Sequence, residues 1–364
     1  MKNIIFKYSN FASALLLTSL IAPLLFAVLD FSDIDYFGEI DLLSFTYFIV
    51  WTCALFLSYV AGLLVRIDLP SVSFDAHSSL YAVLFWLPLA ALIIINIYAL
   101  IKYEFGLSLD LQSYIEDLAK FRGKSIIHLF PVGFFIYINS NQIIKNKKRK
   151  RLSIGICVLN VFLYVILFSE RAFMIPLIII FGVQKRLLLG AFLKSRFVVI
   201  LPLAVCLVFV LSEMTRAFVA DRLSYGDFGT VDAIKYSLKR FAVYYADACL
   251  KSALSLSDTV AGNLTSNPSI WTTEALNNTG ATRELIDSFG VGGLIIAVIF
   301  FGCCGVCVGN GLDGNYPNYM TLFSLILISA GVEFQRWSWL TTSRMWLPII
   351  VLCAYLSLMR RSRI

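Results

Sequence analysis

The sequence predicts an all-α, polytopic integral membrane protein of about ten transmembrane helices, with one large external loop containing an amphipathic helix. Three observations predict it. Of the 364 residues, 59% are hydrophobic and 15% charged, against roughly 45 to 50% and 25% in soluble domains. Apolar runs of about 17 to 24 residues recur along the chain, each long enough to cross a hydrocarbon core of about 30 Å as a helix. Between two of these runs lies Ser212 to Asp287, 76 residues of polar and aromatic sequence that belong in water or at the membrane surface.

The first apolar run, Phe11 to Leu29, follows Lys2 and Lys7 in the manner of a signal peptide. It exceeds a typical signal core and lacks a small-residue cleavage site, so it reads as a retained helix. Further spans follow at Leu42 to Val65, Ser79 to Ile101, Ser125 to Ile144, Leu152 to Phe168, Ala172 to Gln184 and Phe197 to Ser212. After the long loop come Ser288 to Val308, Tyr319 to Gln335 and Met345 to Met359. Nothing marks a separate soluble domain, so residues 1–364 read as a single membrane-embedded domain with 212–287 as a loop within it.

Orientation follows from Lys and Arg in the short connections, which concentrate on the cytoplasmic side. Lys145 to Arg151 holds six basic residues in seven, and Arg360, Arg361 and Arg363 close the chain. An even number of spans puts both clusters and both termini in the cytoplasm, and leaves Asp30, Asp33, Asp35, Glu39 and Asp41 outside. Cytoplasmic segments then hold 16 of the 30 basic residues but 3 of the 23 acidic ones. The net charge of +7 is therefore a sign of topology rather than of a nucleic-acid partner. The segment Ser212 to Asp287 falls outside, in the periplasm of a cell with an outer membrane, and the protein belongs to the inner membrane. The external connection from Lys102 to Lys124 reads as a solvated cap, with ligand contact by Lys120, Arg122 or Lys124 as the lesser alternative.

Five groups of residues are candidates for chemistry. Ser169-Glu170-Arg171 joins two spans of 17 and 13 residues; as helices these rise only about 25 and 20 Å, so Glu170 and Arg171 fall below the outer surface. A structural ion pair accounts for them, and so does an anionic headgroup held by Arg171, whose planar fork of donors suits a diphosphate. Arg216 and Arg222 follow span seven at headgroup depth, where arginines also snorkel to lipid phosphate. From Asp232 to Leu256 the sequence reads as an amphipathic helix, with Lys235, Lys239, Arg240 and Asp247 on its polar side and Tyr245 on the other. Its Tyr244 and Tyr245 are candidates to stack on sugar rings or to anchor at the interface. Ser257 to Asp287, rich in Asn, Thr, Ser and Gly, carries Trp271, Glu274 and Arg283; it suits a neutral, polar, ring-shaped ligand and equally a flexible connection. Glu333, Arg336 and Arg344, with Trp337 and Trp339, gather at the outer ends of spans nine and ten.

No Walker loop, acidic metal-binding pair or Ser/His/Asp set is present, and both histidines, His77 and His128, lie away from the long loop. ATPase, metal-dependent and hydrolytic chemistry are thereby disfavoured. Cys303, Cys304 and Cys307 form a CCxxC without neighbouring histidines, which reads as small-residue helix packing rather than a metal site. No cofactor is expected.

The Ser169-Glu170-Arg171 junction, the Arg216 segment opening a long external loop, and Thr282-Arg283-Glu284 leading into Asp287-Ser288-Phe289-Gly290-Val291-Gly292-Gly293 resemble features of the O-antigen polymerases, the Wzy-type oligosaccharide repeat-unit polymerases. The last is similar to that family's Asp-Phe-Gly-x-x-Gly segment, with Ser288 as an insertion. The resemblance extends over the whole plan of spans and loop. It implies a metal-independent membrane glycosyltransferase that transfers a growing glycan from undecaprenyl diphosphate onto another lipid-linked repeat unit, in lipopolysaccharide or related polysaccharide biosynthesis. It implies undecaprenyl-diphosphate-linked oligosaccharide as substrate, membrane lipid as surroundings and a chain-length regulator protein as partner. Arg171, Arg216, Arg283 and Arg336 become candidates for the departing diphosphate, with Arg222, Arg344, Tyr244 and Trp271 for further substrate contact. Glu170, Asp247 and Glu274 are the candidate bases. An exporter or flippase of lipid-linked sugars is the alternative from another class, and a non-catalytic assembly partner a third.

Overall fold

The computed structural model describes residues 11–28, 42–67, 81–103, 125–140, 147–168, 173–184, 252–261, 281–311, 319–335, 340 and 342–361. These residues are almost entirely helical, with no strand among them. The helices are α1 (Phe11–Val28), α2 (Leu42–Leu64), α3 (Leu87–Tyr103), α4 (Phe130–Asn139), α5 (Lys147–Phe168), α6 (Met174–Gln184), α7 (252–260), α8 (Ala281–Phe289), α9 (Val291–Gly311), α10 (Tyr319–Glu333) and α11 (Ser343–Arg361). A wide π turn, Ala82–Trp86, leads into α3, and a 3₁₀ turn, Ser125–Leu129, leads into α4. Four helical segments are long and apolar enough to cross a bilayer: Leu43–Leu64, Ala82–Lys102, Lys148–Phe168 and Val291–Gly311. Such segments give the chain the character of a multi-pass membrane protein.

Nine of the ten apolar runs marked by the sequence coincide with helix, and the tenth, Phe197 to Ser212, lies outside the described residues. Two boundaries differ for physical reasons. The helix expected from Leu152 begins at Lys147 and has 22 residues, or about 33 Å, although its apolar part still starts at Leu152. Lys and Arg are good helix formers whose long stems reach polar surroundings from a helix end, so the basic run continues the helix instead of ending it. The run expected from Ser288 starts at Val291, because Asp287 and Ser288 finish a separate helix, α8.

The described helices group into two compact units. In the first are α1, α2, α7, α8, α9, α10 and the start of α11 as far as Met345. Its axis is the pair α2 and α9, which run parallel: Ser58 Oγ donates to the Val298 carbonyl at 2.6 Å, and Asn310 Nδ2 donates to the Val65 carbonyl at 3.0 Å. Glycines permit the approach. A Cβ on Gly305 would collide with the Tyr59 carbonyl oxygen, and one on Gly62 with that of Gly302. Lipid tails are as apolar as Leu, so such contacts and interhelical hydrogen bonds, rather than the hydrophobic effect, select this pairing. The antiparallel helix α10 lies on the other side of α9. Thr321 Oγ1 donates to the Gly311 carbonyl, Ser324 Oγ to that of Cys307, and Cys304 Sγ faces the Leu327 carbonyl at 3.6 Å. Cys304 is thus a helix-packing residue, and α1 joins through the bond between Ser13 Oγ and Tyr59 Oη at 2.7 Å.

The second unit holds the π turn, α3 to α6 and α11 from Trp346. Asn96, buried on α3, donates to the Asn160 carbonyl of α5 at 2.8 Å. Lys150 Nζ caps the Ile138 carbonyl near the end of α4 at 2.9 Å, which holds the basic start of α5 in place. An aromatic stack of Tyr81, Phe85, Tyr137 and Phe130 fills the space between π turn and α4, and His128 packs edgewise on Phe173 at 5.7 Å. A Cβ on Gly133 would meet the Leu84 carbonyl, so that glycine sets how closely the turn and α4 approach.

Candidate functional site

The polar helix α8 is the centre of the candidate site, and its sequence accounts for its placement. Ala281, Thr282, Leu285 and Ile286 recur at helical spacing and are buried, while Arg283, Glu284 and Asp287 lie off that face. Glu284 stands in the first turn, where a carboxylate favours the positive end of the helix dipole. The helix ends at Gly290, whose φ of 56° is the left-handed conformation, and whose N–H donates to the Ile286 carbonyl at 2.7 Å. Glycine is the residue that takes that conformation without steric cost, and it turns the chain at once into α9. Gly293 then lets the α9 backbone pass against the Leu285 carbonyl.

Two bonds clasp α8 to its neighbours. The Ala281 N–H, which lacks an acceptor within its own helix, donates to the Phe334 carbonyl at 3.0 Å. Trp51 on α2 donates its indole N–H to Thr282 Oγ1 at 3.1 Å. Phe334 itself sits against Phe301 at 5.0 Å and Phe300 at 6.2 Å between ring centres.

These contacts fix relative depth along α9. Nine residues separate Val291 from Phe300, so α10, whose last residue Glu333 precedes Phe334, stops about 14 Å short of the end at which α9 begins. The segment α8 occupies the first turns of α9 instead. Trp51, eight residues from Leu43, likewise lies about 12 Å along α2. The clasp is therefore well inside the length of two helices that are each long enough to cross a bilayer. Glu333, which the sequence sets at the outer end of its span, is buried at that inner level with 5% exposure, and Gln335 beside it with 1%.

Of the residues the resemblance makes candidates for catalysis or substrate contact, Arg283 and Arg344 are described. Arg283 projects from α8 with 12% of its side chain exposed and pairs with Asp287 Oδ2 at 3.2 Å. A guanidinium carries five N–H donors in a planar fork, the chemistry that suits an anionic group. Arg344, in the first turn of α11, is buried with 6% exposure. Glu170, Arg171, Arg216, Arg222, Tyr244, Asp247, Trp271, Glu274 and Arg336 lie outside the described residues. Of the expected amphipathic segment, Ser252 to Leu256 belongs to α7, where Ser252, Ala253, Ser255 and Leu256 are buried.

Sequence reasoning passed over Trp51, Thr52 and Gln335. The available signal for Trp51 was chemical: an indole N–H inside an apolar run needs an acceptor once buried. Gln335 gave a similar signal as a carboxamide closing an apolar helix. The elements joined by the clasp thus carry a partly exposed guanidinium on α8, a buried carboxylate at the end of α10, and the buried amide and hydroxyl of Gln335 and Thr52. Such a set can hold an anionic group beside a neutral polar one. Comparison of the chain with family models, with curated proteins and with solved structures finds no match in any of the three.

Proposed function

We propose that this chain is a membrane glycosyltransferase that polymerises undecaprenyl-diphosphate-linked oligosaccharide repeat units into O-antigen or a related surface polysaccharide. In this reading the chain has about ten spans, lies in the bacterial inner membrane with both termini in the cytoplasm, and works at the periplasmic face, where 212–287 forms the large loop. The observation that carries the reading is the seating of Thr282-Arg283-Glu284, the segment that resembles the polymerases, as a clasped polar helix among apolar ones.

The chemistry follows from what such a transfer requires. An acceptor hydroxyl oxygen forms a bond to the anomeric carbon of the donor sugar, and the bond from that carbon to the diphosphate oxygen breaks. The hydroxyl proton passes to a carboxylate, for which Glu170, Asp247 and Glu274 are the candidates, and the diphosphate leaves as an anion. Guanidinium groups aimed at the leaving oxygen lower the barrier by stabilising charge as it develops. Arg283 is suited to that task from α8, with Arg171, Arg216 and Arg336 as its proposed companions and Arg222, Arg344, Tyr244 and Trp271 as further substrate contacts. A chain-length regulator protein is the proposed partner.

The test is reconstitution of the purified protein in nanodiscs with a synthetic lipid-linked repeat unit. Products longer than one unit are expected, and none from Arg283→Ala; absence of any elongation by the unsubstituted protein overturns the reading.

A second reading, export of lipid-linked sugars, draws support from one feature. Helix α10 ends beside Phe300 with buried Glu333 and Gln335 at its tip, and transporters place polar groups at interrupted helices deep in the bilayer. In cells lacking the protein, polymerase loss leaves single-unit glycans outside. Exporter loss leaves lipid-linked units on the cytoplasmic leaflet.

A further inference from the structure

Gln335 has 1% exposure, yet among the described residues neither its amide nitrogen nor its amide oxygen has a hydrogen-bond partner. Thr52, with 4% exposure, is in the same condition at its hydroxyl. The two stand beside the two bonds that seat α8: Thr52 follows Trp51, which holds Thr282, and Gln335 follows Phe334, whose carbonyl holds Ala281. Because Ala281 and Thr282 are consecutive, one short segment links the positions of both orphaned groups.

Buried polar atoms in native proteins are nearly always partnered, so a carboxamide with both ends idle calls for a specific reason. Chemistry narrows the reason. A carboxamide offers two donors and an acceptor, and a hydroxyl offers one donor and an acceptor. Neither carries charge, and together they match a group that both gives and takes hydrogen bonds without being ionised. Hydroxyl and acetamido groups on a sugar ring have that character, whereas a phosphate, which only accepts, would leave the acceptor atoms of Gln335 and Thr52 idle.

We propose that Gln335, with Thr52, forms a subsite for a neutral sugar ring bearing hydroxyl or acetamido groups, beside the clasp and distinct from the anion-binding role of Arg283. That a sugar is delivered here rests on the polymerase reading; the place and the neutrality of the ligand rest on the orphaned side chains. Gln335 acts as a recognition residue, one whose amide is kept for substrate at the expense of the free protein's own stability.

The experiment uses the full-length protein in nanodiscs and two probes: a short polyprenyl diphosphate carrying one N-acetylhexosamine, and the same polyprenyl diphosphate without sugar. The unsubstituted protein is expected to bind the sugar-bearing probe at least about tenfold more tightly, which is the discrimination expected when a site's polar groups are left unpaired by the poorer ligand. In Gln335→Met, a change that keeps volume, affinity for the sugar-bearing probe falls to that for the bare one, affinity for the bare one is unchanged, and the Tm of the ligand-free protein holds or rises. A fall in that Tm of several degrees shows that the amide has a structural partner and overturns the proposal. So does unchanged binding of the sugar-bearing probe, the result expected if Gln335 holds only water. Should Gln335→Met fail to accumulate, Thr52→Val carries the same comparison. An unsubstituted protein that binds both probes equally loses the subsite alone, and one that binds neither loses the polymerase reading with it.

Discussion

Trp51 donates its indole N–H to the Thr282 hydroxyl across 3.1 Å, joining positions 231 apart in the chain. One end of the bond lies within an apolar helix long enough to span a bilayer, the other in a polar helix of nine residues. A segment as short and polar as α8 has little helical stability of its own, so its position depends on such tertiary contacts.

Replacing Trp51 by Phe keeps most of the ring volume and removes the donor. The buried Thr282 hydroxyl is then left without it, at a cost of about 1–3 kcal/mol, and the Tm in detergent should fall accordingly. In a double-mutant cycle with Thr282→Val, the two changes should cost less together than the sum of their separate costs, since either one breaks the same bond. Strict additivity would show that the bond contributes nothing.

Gly305 and Gly62 set the distance between α2 and α9. A methyl group at Gly305 would run into the Tyr59 carbonyl, which is backbone and cannot rotate aside. Gly305→Ala is therefore expected to prevent stable accumulation in membranes. Gly155→Ala is the control, because nothing lies within 4 Å of a Cβ added there, and removal of a mid-helix glycine should stabilise by up to about 1 kcal/mol. Immunoblotting of membrane fractions separates the two outcomes; equal abundance of both variants would refute the close contact.

Gly290 joins the polar helix to the apolar one in a left-handed turn. Nothing lies within 4 Å of a Cβ added there, so space is not the obstacle to substitution and conformation is. Gly290→Ala should cost about 1–2 kcal/mol, while Gly290→Asn should cost less, since Asn tolerates that region better. Thermal unfolding of the two variants gives the order, and an alanine variant as stable as the unsubstituted protein would refute the strain.

These cases also show what a reader of the sequence can and cannot obtain. Hydropathy places helices at all nine expected runs that fall among the described residues because each must bury or expose apolar surface over its whole length. The glycine at 290 marks the end of α8 for the same local reason. Depth is different. That α10 stops level with Phe300 depends on Phe334 packing on Phe300 and Phe301 and on Ala281 reaching the Phe334 carbonyl, contacts between segments whose proximity no local pattern reveals. Gln335 belongs to this second kind, since its place at the end of an apolar run gives no sign of whether it finds a partner. The charged run before Leu152 misleads in the opposite direction: read as a connection for its polarity, its described part, Lys147 to Arg151, is the start of α5.

Arg283 supplies the sharpest test of the candidate site, because its visible ion pair and its proposed role make different demands. The partner Asp287 is 47% exposed, and an exposed pair at this spacing on a helix contributes only about 0.3–0.5 kcal/mol. Asp287→Asn should therefore leave the Tm nearly unchanged and, by freeing the guanidinium from a competing carboxylate, preserve or raise affinity for diphosphate. Arg283→Ala should abolish elongation of lipid-linked repeat units while the protein remains abundant and inserted. Arg283→Lys keeps the charge but loses the two-pronged contact with phosphate oxygens, so partial activity is expected, with a weaker apparent affinity for the lipid-linked donor. The readouts are the ladder of products on a gel and the concentration dependence of the rate. If Asp287→Asn abolishes elongation as completely as Arg283→Ala, the pair acts as one structural unit and Arg283 does not meet the diphosphate.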